Sequence, residues 1–363
     1  MERRDVVIVG GGPGGSATAL WLARLAPELA QRTLILDRAE FPRDKTCAGG
    51  LIPRTIHLLG DLGLGLDVPH VRVDRARVEA GGRPIEIPEP GCCWIVRRRE
   101  FDAFLLGAAG ARGVEVREGV RVAGARRDED GIRLETSAGP IRARAVVGAD
   151  GSGSVVRRDL VDASEGWVAR ATMCDAPIPD GAVPDRFEFD FRPVARGLAG
   201  YAWSFPCLID GRPHWNVGAY SLRRTGEGER IARLVDERAR CPEARRRAHP
   251  IRLYRPRGAI SAPGTLLVGD AAGVDPLLGE GISYALEYGR HAANALATGF
   301  RAGDLAFRDF GATVRRSEMG TKLARLALLA RLFYGSSSRF WFGVARLSHR
   351  AQRIGMNWYN GVS

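Results

Sequence analysis

Glycines near the start of the chain stand at the spacing that a phosphate-binding turn requires. Gly10, Gly12 and Gly15 follow an apolar run and form the pattern G-x-G-x-x-G, with Pro13 and Gly14 between them. The first glycine permits a tight turn, the second lets backbone approach a pyrophosphate, and the third lets a helix pack closely on a strand. The spacing therefore predicts a dinucleotide-binding turn.

The elements around this turn form a consistent strand–turn–helix–strand unit. Residues 5–9 suit a strand buried on both faces, and residues 16–25 are rich in Ala and Leu, as in a helix whose first N–H groups face phosphate. Residues 33–36 predict a second strand, which ends at Asp37. This acid lies about 20 residues beyond the last glycine, where a carboxylate bonds ribose hydroxyls. We expect Arg38 beside it to contact the same cofactor.

Two later glycine-marked segments each follow an apolar run. The first ends in Asp150-Gly151, and the second contains Gly269-Asp270. One such segment could arise by chance, whereas three in this context predict a single flavin-dinucleotide site. For Asp150, an acid that only stabilises a turn is the alternative interpretation.

The composition is that of an ordinary globular chain with an excess of arginine. The chain has 363 residues, 45% of them hydrophobic, and a formal net charge of +12. Lysine occurs only at Lys45 and Lys322, so arginine supplies nearly all of the positive charge. The arginine runs 97–99 and 245–247 have no interleaved aromatic residues, and we therefore expect no nucleic-acid partner. A solvated surface is the simpler interpretation of these runs, with attraction to anionic lipid or a diphosphate as the alternative.

The sequence predicts a cytoplasmic protein, with association to a membrane surface as an alternative. No charged leader with an apolar core precedes residue 5, and no segment reaches the roughly 18 uncharged apolar residues that cross a bilayer. The six cysteines form no C-x-x-C pair, so we expect free thiols, and the scattered histidines favour no metal site.

The order of elements indicates the α/β class, in which a Rossmann-like FAD-binding fold is interrupted by an antiparallel-sheet substrate domain and followed by a helical C-terminus. We assign the FAD-binding domain to residues 1–70, 98–165 and 255–300, the sheet domain to 71–97 and 166–254, and the helical region to 301–363. Alternating residues near 76–87 indicate strands that close at Pro88-Glu-Pro-Gly91, and residues 98–111 predict a helix.

These features together resemble the FAD enzymes of the aromatic-hydroxylase type of fold and, among them, the geranylgeranyl reductase family. Besides the glycine segments, the resemblance rests on Arg98-x-x-Phe101-Asp102, Pro276 with Gly279-Glu-Gly-Ile282, Cys47-Ala-Gly-Gly50 and Tyr201-Ala-Trp-Ser-Phe-Pro206. It extends over roughly residues 5–300. It implies FAD as cofactor and NAD(P)H or another external electron donor.

The resemblance implies further cofactor contacts. Arg98 is similar to the family arginine that reaches the FAD pyrophosphate, although Arg97 or Arg99 could take this role. Asp270 would accept a hydrogen bond from the ribityl chain. Asp102 is expected to support the fold by bonding backbone or an arginine.

The segment nearest the reacting ring, by the same resemblance, precedes a helix that begins at Ile282. Gly279 and Gly281 leave the backbone exposed there. The positive end of the helix dipole would stabilise negative charge on reduced flavin. Glu280 is expected to be an ordinary helix-start acid.

Cys47 and Lys45 lie in one loop. The resemblance places Cys47 beside the flavin, where it could relay a proton or only contact the ring, and a small buried thiol is the alternative. Lys45 could meet a phosphate of FAD or of substrate, or remain solvated.

Tyr201, Trp203 and Phe205 alternate along the chain and therefore share one face of a strand. They could line an apolar tunnel for an isoprenoid chain or form ordinary sheet core. Cys207 stands where some relatives have lysine, which leaves an anionic headgroup contact open.

Residues 315–358 combine helical spacing of Leu323, Leu326 and Ala330 with basic residues and with aromatic pairs further on. A helix docked against the catalytic domain is favoured, and peripheral membrane contact is the alternative.

The function predicted from the resemblance is hydride transfer from reduced FAD to a carbon–carbon double bond of an isoprenoid or similar apolar small molecule. The alternative is an FAD-dependent monooxygenase that hydroxylates an aromatic substrate or a protein side chain. That class usually has histidine after Gly-Asp-Ala in the third glycine segment, where this chain has Ala272-Gly273.

Overall fold

A computed structural model of the chain describes residues 1–81, 83–164, 166–178, 184–222, 226–335 and 340. The strands are β1 (Glu2–Val9), β2 (Thr33–Leu36), β3 (Gly50–Leu51), β4 (His70–Glu79), β5 (Ile85–Val96), β6 (Glu115–Arg117), β7 (Val122–Asp128), β8 (Gly131–Thr136), β9 (Ile141–Gly148), β10 (Val168–Pro177), β11 (Phe187–Asp190), β12 (Gly200–Ile209), β13 (Arg212–Ser221), β14 (Arg247–Arg252), β15 (Ser261–Ala262) and β16 (Thr265–Leu267). The helices are α1 (Pro13–Leu25), α2 (Pro27–Ala30), α3 (Pro53–Asp61), α4 (Arg98–Ala111), α5 (Val155–Leu160), α6 (Arg192–Ala195), α7 (Gly228–Ala239), α8 (Ile282–Ala302), α9 (Phe310–Arg316) and α10 (Glu318–Phe333).

The chain divides into two compact units. The first unit comprises Met1–Arg43, Phe101–Trp167 and Ile251–Leu326, and the second comprises Asp44–Glu100, Val168–Pro250 and Ala327–Ser363. The sequence placed residues 44–70 in the FAD-binding domain, whereas the structure groups them with the second unit because β3 pairs with β5. Residues 301–326, assigned to a separate helical region, belong to the first unit.

The first unit is built on an eight-stranded sheet with the central path β15-β16-β9-β1-β2-β6. β1 runs parallel to β2 and β9, and β9 runs parallel to β16. The register aligns Val9 with Gly148 and Gly148 with Leu267, so the carboxyl ends of these three strands lie side by side. The Rossmann-like arrangement predicted from the sequence is confirmed.

The second unit contains a sheet of order β14-β10-β13-β12-β11-β4-β5-β3, whose paired strands are mostly antiparallel. Helix α7 covers one face, where Ala202, Ala219 and Ile231 belong to one buried cluster. Because side chains alternate along a strand, the odd-numbered aromatic residues of β12 lie on the opposite face from Ala202. The two faces of this sheet therefore have different chemistry.

The expected close of a strand at Pro88-Glu-Pro-Gly91 is wrong. β5 continues through this segment to Val96. Its pairing with β4 is irregular, since Val73 pairs with Cys93 whereas Arg75 pairs with Pro88. A bulge inserts extra residues into one strand without ending it, which is how this turn-like sequence is accommodated.

Helical predictions near the middle and end of the chain agree with the structure. α4 has the predicted bounds, and α10 buries Leu323, Leu326 and Ala330, as expected of a docked helix. Residues 341–363, which include the terminal aromatic pairs, lie outside the described residues, and membrane contact through them stays a prediction. Within the described part of the chain, none of the helices combines the length and apolar composition needed to span a membrane.

Candidate functional site

The first glycine turn leaves no room for side chains at two positions. Gly10 has φ +109°, and a Cβ atom there would overlap the carbonyl oxygen of Ala149. A Cβ atom on Gly15 would overlap the carbonyl oxygen of Gly10. The Gly10 N–H donates to the Leu36 carbonyl oxygen at 2.7 Å, which ties the turn to β2. Glycine is required at both positions because backbone, which cannot move aside, occupies the space.

The other two glycine segments converge on this turn. A Cβ atom on Gly14 would lie 3.2 Å from Val268 Cγ2. Ser152 Oγ donates to Asp270 Oδ2 at 3.1 Å, and Asp270 Oδ1 lies 3.5 Å from where a Cβ atom on Gly281 would stand. The structure thus brings the three distant segments and the start of α8 to one edge of the sheet.

The Asp37 side chain fixes the glycine turn by accepting hydrogen bonds from backbone N–H groups. Its Oδ2 atom accepts a 2.8 Å hydrogen bond from the Gly11 N–H, and its Oδ1 atom accepts one of 2.9 Å from the Ala39 N–H. The residue is 8% exposed, and Arg38 beside it is exposed. The ribose contact of Asp37 stays a prediction.

Asp150 stabilises a turn, as the alternative interpretation of this acid predicted. Its Oδ2 atom accepts hydrogen bonds from the N–H groups of Val155 and Val156 at 2.7 and 3.2 Å, at the start of α5. Burial raises the pKa of the Asp150 carboxyl, and these N–H donors oppose that shift.

The backbone at the open side of the turn fits the pyrophosphate of FAD. Gly12 precedes α1, and no side chain of the described residues caps that helix. A Cβ atom on Gly12 would meet only the Arg43 guanidinium, 3.5 Å away, and one on Gly151 would meet nothing within 4 Å. Exposed N–H groups at a helix start with open space before them are suited to a phosphate.

Arg43 is a candidate cofactor-binding residue that the sequence analysis missed. Its guanidinium lies 3.1 Å from Asp102 Oδ2 and 4.5 Å from the ring centre of Phe41. Asp102 is completely buried, as expected of an acid that supports the fold by bonding an arginine. The arginine is thereby held beside Gly12. A buried acid on α4 was the available signal, but its partner could not be chosen from the sequence.

The segment before α8 is shaped as predicted for a helix start with bare backbone. Gly281 occupies the N-cap position, Gly279 has φ +71°, and α8 begins at Ile282. Both carboxylate oxygens of Glu280 accept hydrogen bonds from Ser283, one from its N–H at 2.9 Å and one from its Oγ at 2.7 Å. Glu280 is therefore a helix-start acid, and the roles of the two glycines at the flavin stay predictions.

Packing of α8 on α1 fixes where this helix begins. A Cβ atom on Gly289 would lie 2.7 Å from both Ala17 Cβ and the Thr18 nitrogen. The two helices approach closely only because Gly289 lacks a side chain. The phosphate turn and the start of α8 are therefore held on two helices that contact each other directly.

A buried acid, Asp275, supports the turn before α8. Its two carboxylate oxygens accept hydrogen bonds from the N–H groups of Leu277 and Leu278 at 2.7 and 3.1 Å. Burial raises the pKa of Asp275 to about 7, with Glu280 adding to the rise and Lys322 opposing it. This carboxyl was not identified from the sequence.

In the second unit, the Cys47 loop lies against the end of β5. The Val96 N–H donates to the Gly49 carbonyl oxygen at 3.0 Å, and the Gly49 N–H donates to Cys47 Sγ at 3.4 Å. Arg98 follows Val96 by two residues, so the loop and the start of α4 are neighbours. Lys45, Cys47 and Arg98 are half-buried, and their cofactor roles stay predictions.

The two arginines that flank Arg98 have different surroundings, and which of the three contacts the pyrophosphate stays a prediction. Arg97 Nη1 and Nη2 each lie 2.9 Å from an oxygen of Asp175, and Arg99 is exposed. Arg97 Nη1 also lies 3.8 Å from Cys207 Sγ. Burial raises the pKa of the Cys207 thiol to about 11, so a neutral thiol and a guanidinium paired with Asp175 lie directly after Pro206.

The aromatic residues of β12 form a buried cluster. Tyr201, Trp203 and Phe205 are each at most 6% exposed, and Phe189 lies 5.4 Å from Tyr201 and 5.5 Å from Phe205 between ring centres. Trp203 Nε1 donates to Asn216 Oδ1 at 2.9 Å. This hydrogen bond fixes the orientation of the indole.

The predicted site residues are thus divided between the two units. The first unit contains Gly10, Gly12, Pro13, Gly14, Gly15, Asp37, Arg38, Asp150, Gly151, Gly269, Asp270, Gly279, Gly281 and Ile282. The second unit contains Lys45, Cys47, Arg98, Tyr201, Trp203 and Phe205.

The chain is similar to known FAD-binding proteins and to reductases. The FAD binding domain family matches residues 3–176. Menaquinone reductase of Mycolicibacterium smegmatis is 32% identical over 327 residues, covering 82% of this chain and 77% of that protein. Digeranylgeranylglycerophospholipid reductase 1 of Methanothermobacter thermautotrophicus is 29% identical over 356 residues, covering 88% of this chain and 84% of that protein.

The fold has solved counterparts. The crystal structure of a geranylgeranyl bacteriochlorophyll reductase-like protein from Thermoplasma acidophilum superposes with a TM-score of 0.80 at 22% identity, covering 98% of this chain and 96% of that one. Together with the phosphate turn, the match to the FAD binding domain family and the similarity to the two reductases define an FAD-dependent oxidoreductase. The chain belongs to the geranylgeranyl reductase family of these flavoproteins.

Replacing Arg43 tests its place at the cofactor. We expect Arg43→Gln to weaken FAD binding about tenfold or more, because a charge-assisted bond to phosphate is lost. Titration of apoprotein with FAD, followed by flavin fluorescence, measures the change.

Because the single variant removes the positive charge of Arg43 from beside the buried Asp102 carboxylate, its stability falls as well. The double variant Arg43→Gln/Asp102→Asn removes both charges and should recover thermal stability without recovering FAD affinity. Arg301→Gln, at an exposed arginine of the same unit, is the charge control. Recovery of affinity in the double variant would contradict the assignment.

The pKa of Asp275 predicts a pH-dependent contribution to stability. Since the pKa is raised in the folded state, the folded protein binds this proton more tightly than the unfolded chain. Stability contributed by Asp275 is therefore present at low pH and falls as pH rises from about 4 to about 7, by up to about 4 kcal/mol.

Asp275→Asn cannot ionise, and it loses one backbone hydrogen bond at every pH. The difference in Tm between wild type and this variant should therefore shrink, or reverse, between about pH 5 and about pH 8. Asp309→Asn, at an exposed carboxylate, provides the control. A difference that stays constant or widens with pH contradicts the prediction.

Proposed function

We propose that this oxidoreductase reduces a carbon–carbon double bond in the polyprenyl chain of a lipid, with NAD(P)H or another external donor as the source of electrons. FAD, when bound, supplies the hydride. The aromatic face of β12 is the observation that carries the proposal, because a binding surface for a hydrocarbon chain must be apolar over several residues.

That face is continuous and rigid. Ring centres of Tyr201 and Trp203 lie 6.0 Å apart, and those of Tyr201 and Tyr220 lie 5.5 Å apart. Aromatic pairs at these distances pack favourably and resist rotation. The indole N–H, the one polar donor of Trp203, is satisfied by Asn216, which suits the ring to an apolar neighbour.

The names of the relatives support this substrate class. Menaquinone and digeranylgeranylglycerophospholipid are both lipids with polyprenyl chains, and the relatives named for them are called reductases. A quinone tail and a glycerolipid chain present the same kind of double bond, and the proposal concerns that shared group.

The start of α8 and the thiol of Cys47 are the two features that we assign to the chemical step. The start of α8, with its open backbone at Gly281, provides a positive dipole end that favours developing negative charge. Cys47 is half-buried in the Gly49 loop, where its Sγ accepts a hydrogen bond from the Gly49 N–H, and it is the candidate proton donor to the second carbon. The thiol proton leaves sulfur as the new C–H bond forms.

Anaerobic reoxidation tests the function. Holoenzyme is reduced with dithionite without oxygen and mixed with a geranylgeranyl lipid, which unlike menaquinone has no quinone ring to accept the two electrons. We expect the visible flavin absorbance to return, and the lipid mass to increase by two hydrogen atoms. Cys47→Ala should slow this return by about a hundredfold, as for loss of a general acid, and leave reduction by dithionite unchanged.

The same experiment tests the alternative function. Flavin reoxidation only when oxygen is admitted, with an oxygen atom added to the organic product, would identify a monooxygenase. Ala272-Gly273, at the position where that class usually has histidine, is buried beside the third glycine segment. Unchanged lipid under anaerobic conditions would falsify the reductase proposal.

A glycine substitution tests the role of the aromatic face in substrate reduction independently of FAD binding. A Cβ atom on Gly218 would overlap the ring of Trp203, so Gly218→Ala must displace that ring. We expect the rate of anaerobic reoxidation by polyprenyl lipid to fall at least about tenfold, with FAD affinity unchanged.

Gly60→Ala is the matched control, since a Cβ atom there meets nothing within 4 Å. Tryptophan fluorescence of the Gly218→Ala variant reports whether the ring has moved. A moved ring with a normal reoxidation rate would remove the aromatic face from the substrate site.

A further inference from the structure

Four arginines surround a cavity in the second unit that the proposed function does not use. The cavity has a volume of about 570 Å³ and is lined by Arg170, Arg233, Arg246 and Arg247, with Glu229 as its acid. Roughly 300–1,000 Å³ is the usual size of a small-molecule site. Arg246 and Arg247 belong to the basic run at residues 245–247.

The cavity lies on the α7 side of the sheet. Thr172 also lines it, and because Thr172 and Cys174 are two residues apart on β10, they share the face that packs against α7. The aromatic residues of β12 lie on the opposite face. The cavity is therefore distinct from the proposed polyprenyl surface.

Within the described residues, two of the four arginines form ion pairs and two do not. Arg246 lies 3.1 Å from Asp236 and Arg247 lies 2.9 Å from Asp44, measured from Nη1 to a carboxylate oxygen. Arg170 and Arg233 form no ion pair within the described residues, although Glu229 is one turn from Arg233 on α7. The cavity wall is therefore positive.

Arg170 stands where a cation is electrostatically unfavourable. Its Nη1 atom lies 3.5 Å from where a Cβ atom on Gly228 would stand, at the first residue of α7. The N-terminal end of a helix has a partial positive charge, and no side chain of the described residues caps this one. An anion between the guanidinium and the helix start would be stabilised by both.

The side chain of Thr172 provides a second, independent indication of a ligand. Thr172 is 5% exposed and lines the cavity, and its hydroxyl has no hydrogen-bond partner among the described residues. A hydroxyl in such a position is suited to donate to a phosphate oxygen.

We propose that this cavity binds a phosphate or diphosphate group, held by Arg170 and Arg233, the Thr172 hydroxyl and the start of α7. The group belongs either to a soluble phosphorylated molecule or to the headgroup of an anionic lipid. Planar guanidinium groups bind phosphate oxygens in pairs, which suits a site with two unpaired arginines.

Binding to the FAD-saturated holoenzyme tests the site, with inorganic pyrophosphate as the soluble probe in isothermal titration calorimetry. Vesicles of phosphatidylglycerol mixed with phosphatidylcholine, compared with phosphatidylcholine alone in sedimentation, probe the lipid source. We expect Arg170→Gln and Arg233→Gln each to weaken binding at least about tenfold, and Thr172→Val to weaken it a few-fold.

Arg245→Gln is the matched control, because it removes the same charge from the same basic run but does not line the cavity. It should change binding by less than about twofold. This pattern with pyrophosphate supports a soluble phosphorylated ligand, and the same pattern with vesicles alone supports a lipid headgroup.

Absence of binding to both probes overturns the proposal, as does an equal loss in Arg245→Gln, which would indicate only general surface charge. Thermal melts of each variant establish that the fold is intact. Binding is measured without turnover, so its outcome is independent of whether the enzyme reduces polyprenyl lipids.

Discussion

Direct contact between glycine backbones is the constraint on which the cofactor site depends. The Gly10 turn touches the backbone of Ala149, and Gly15 touches the carbonyl of Gly10, so any side chain at either position would push strands and helix apart. This approach joins the ends of β1 and β9, and Ser152 extends it to Asp270 beyond β16. Residues more than a hundred positions apart are thereby fixed at one edge of a single sheet.

At this edge of the sheet, backbone N–H groups provide partial positive charge, and buried acids hold the surrounding turns and an arginine in place. The starts of α1 and α8 present N–H groups, and the contact of Gly289 with α1 holds the two helices together. Carboxylates serve mainly as supports: Asp37 binds the first turn, Asp102 binds Arg43, and Asp275 binds the turn before α8. Rigid donors of this kind need no reorganisation when a negatively charged ligand is bound.

The second unit uses the alternation of a β-sheet to keep two chemistries apart. One face of β12 carries aromatic rings packed edge to face or tilted against one another. The other face carries the apolar cluster beneath α7, and the arginine-lined cavity lies at the start of that helix. A one-residue change in register would exchange the two faces, because successive side chains point in opposite directions. The hydrogen bond from Trp203 to Asn216, and the close fit of that ring on Gly218, fix this register.

The sequence by itself determined the class of cofactor, the parallel sheet and the alternating aromatic face, because each depends on local spacing: glycines in a turn, apolar runs, and a period of two. It also indicated that Asp102 would bond either backbone or an arginine and that Glu280 would be a helix-start acid. The choice of Arg43 as the partner of Asp102 was decided only by the tertiary structure. Four further features depend on contacts between segments that are distant in the chain: Arg43 beside Gly12, the continuation of β5 through Pro88-Glu-Pro-Gly91, the grouping of residues 44–70 with the second sheet, and the cavity between α7 and β10. Packing and burial determine which segments meet, and no local sequence pattern encodes that choice.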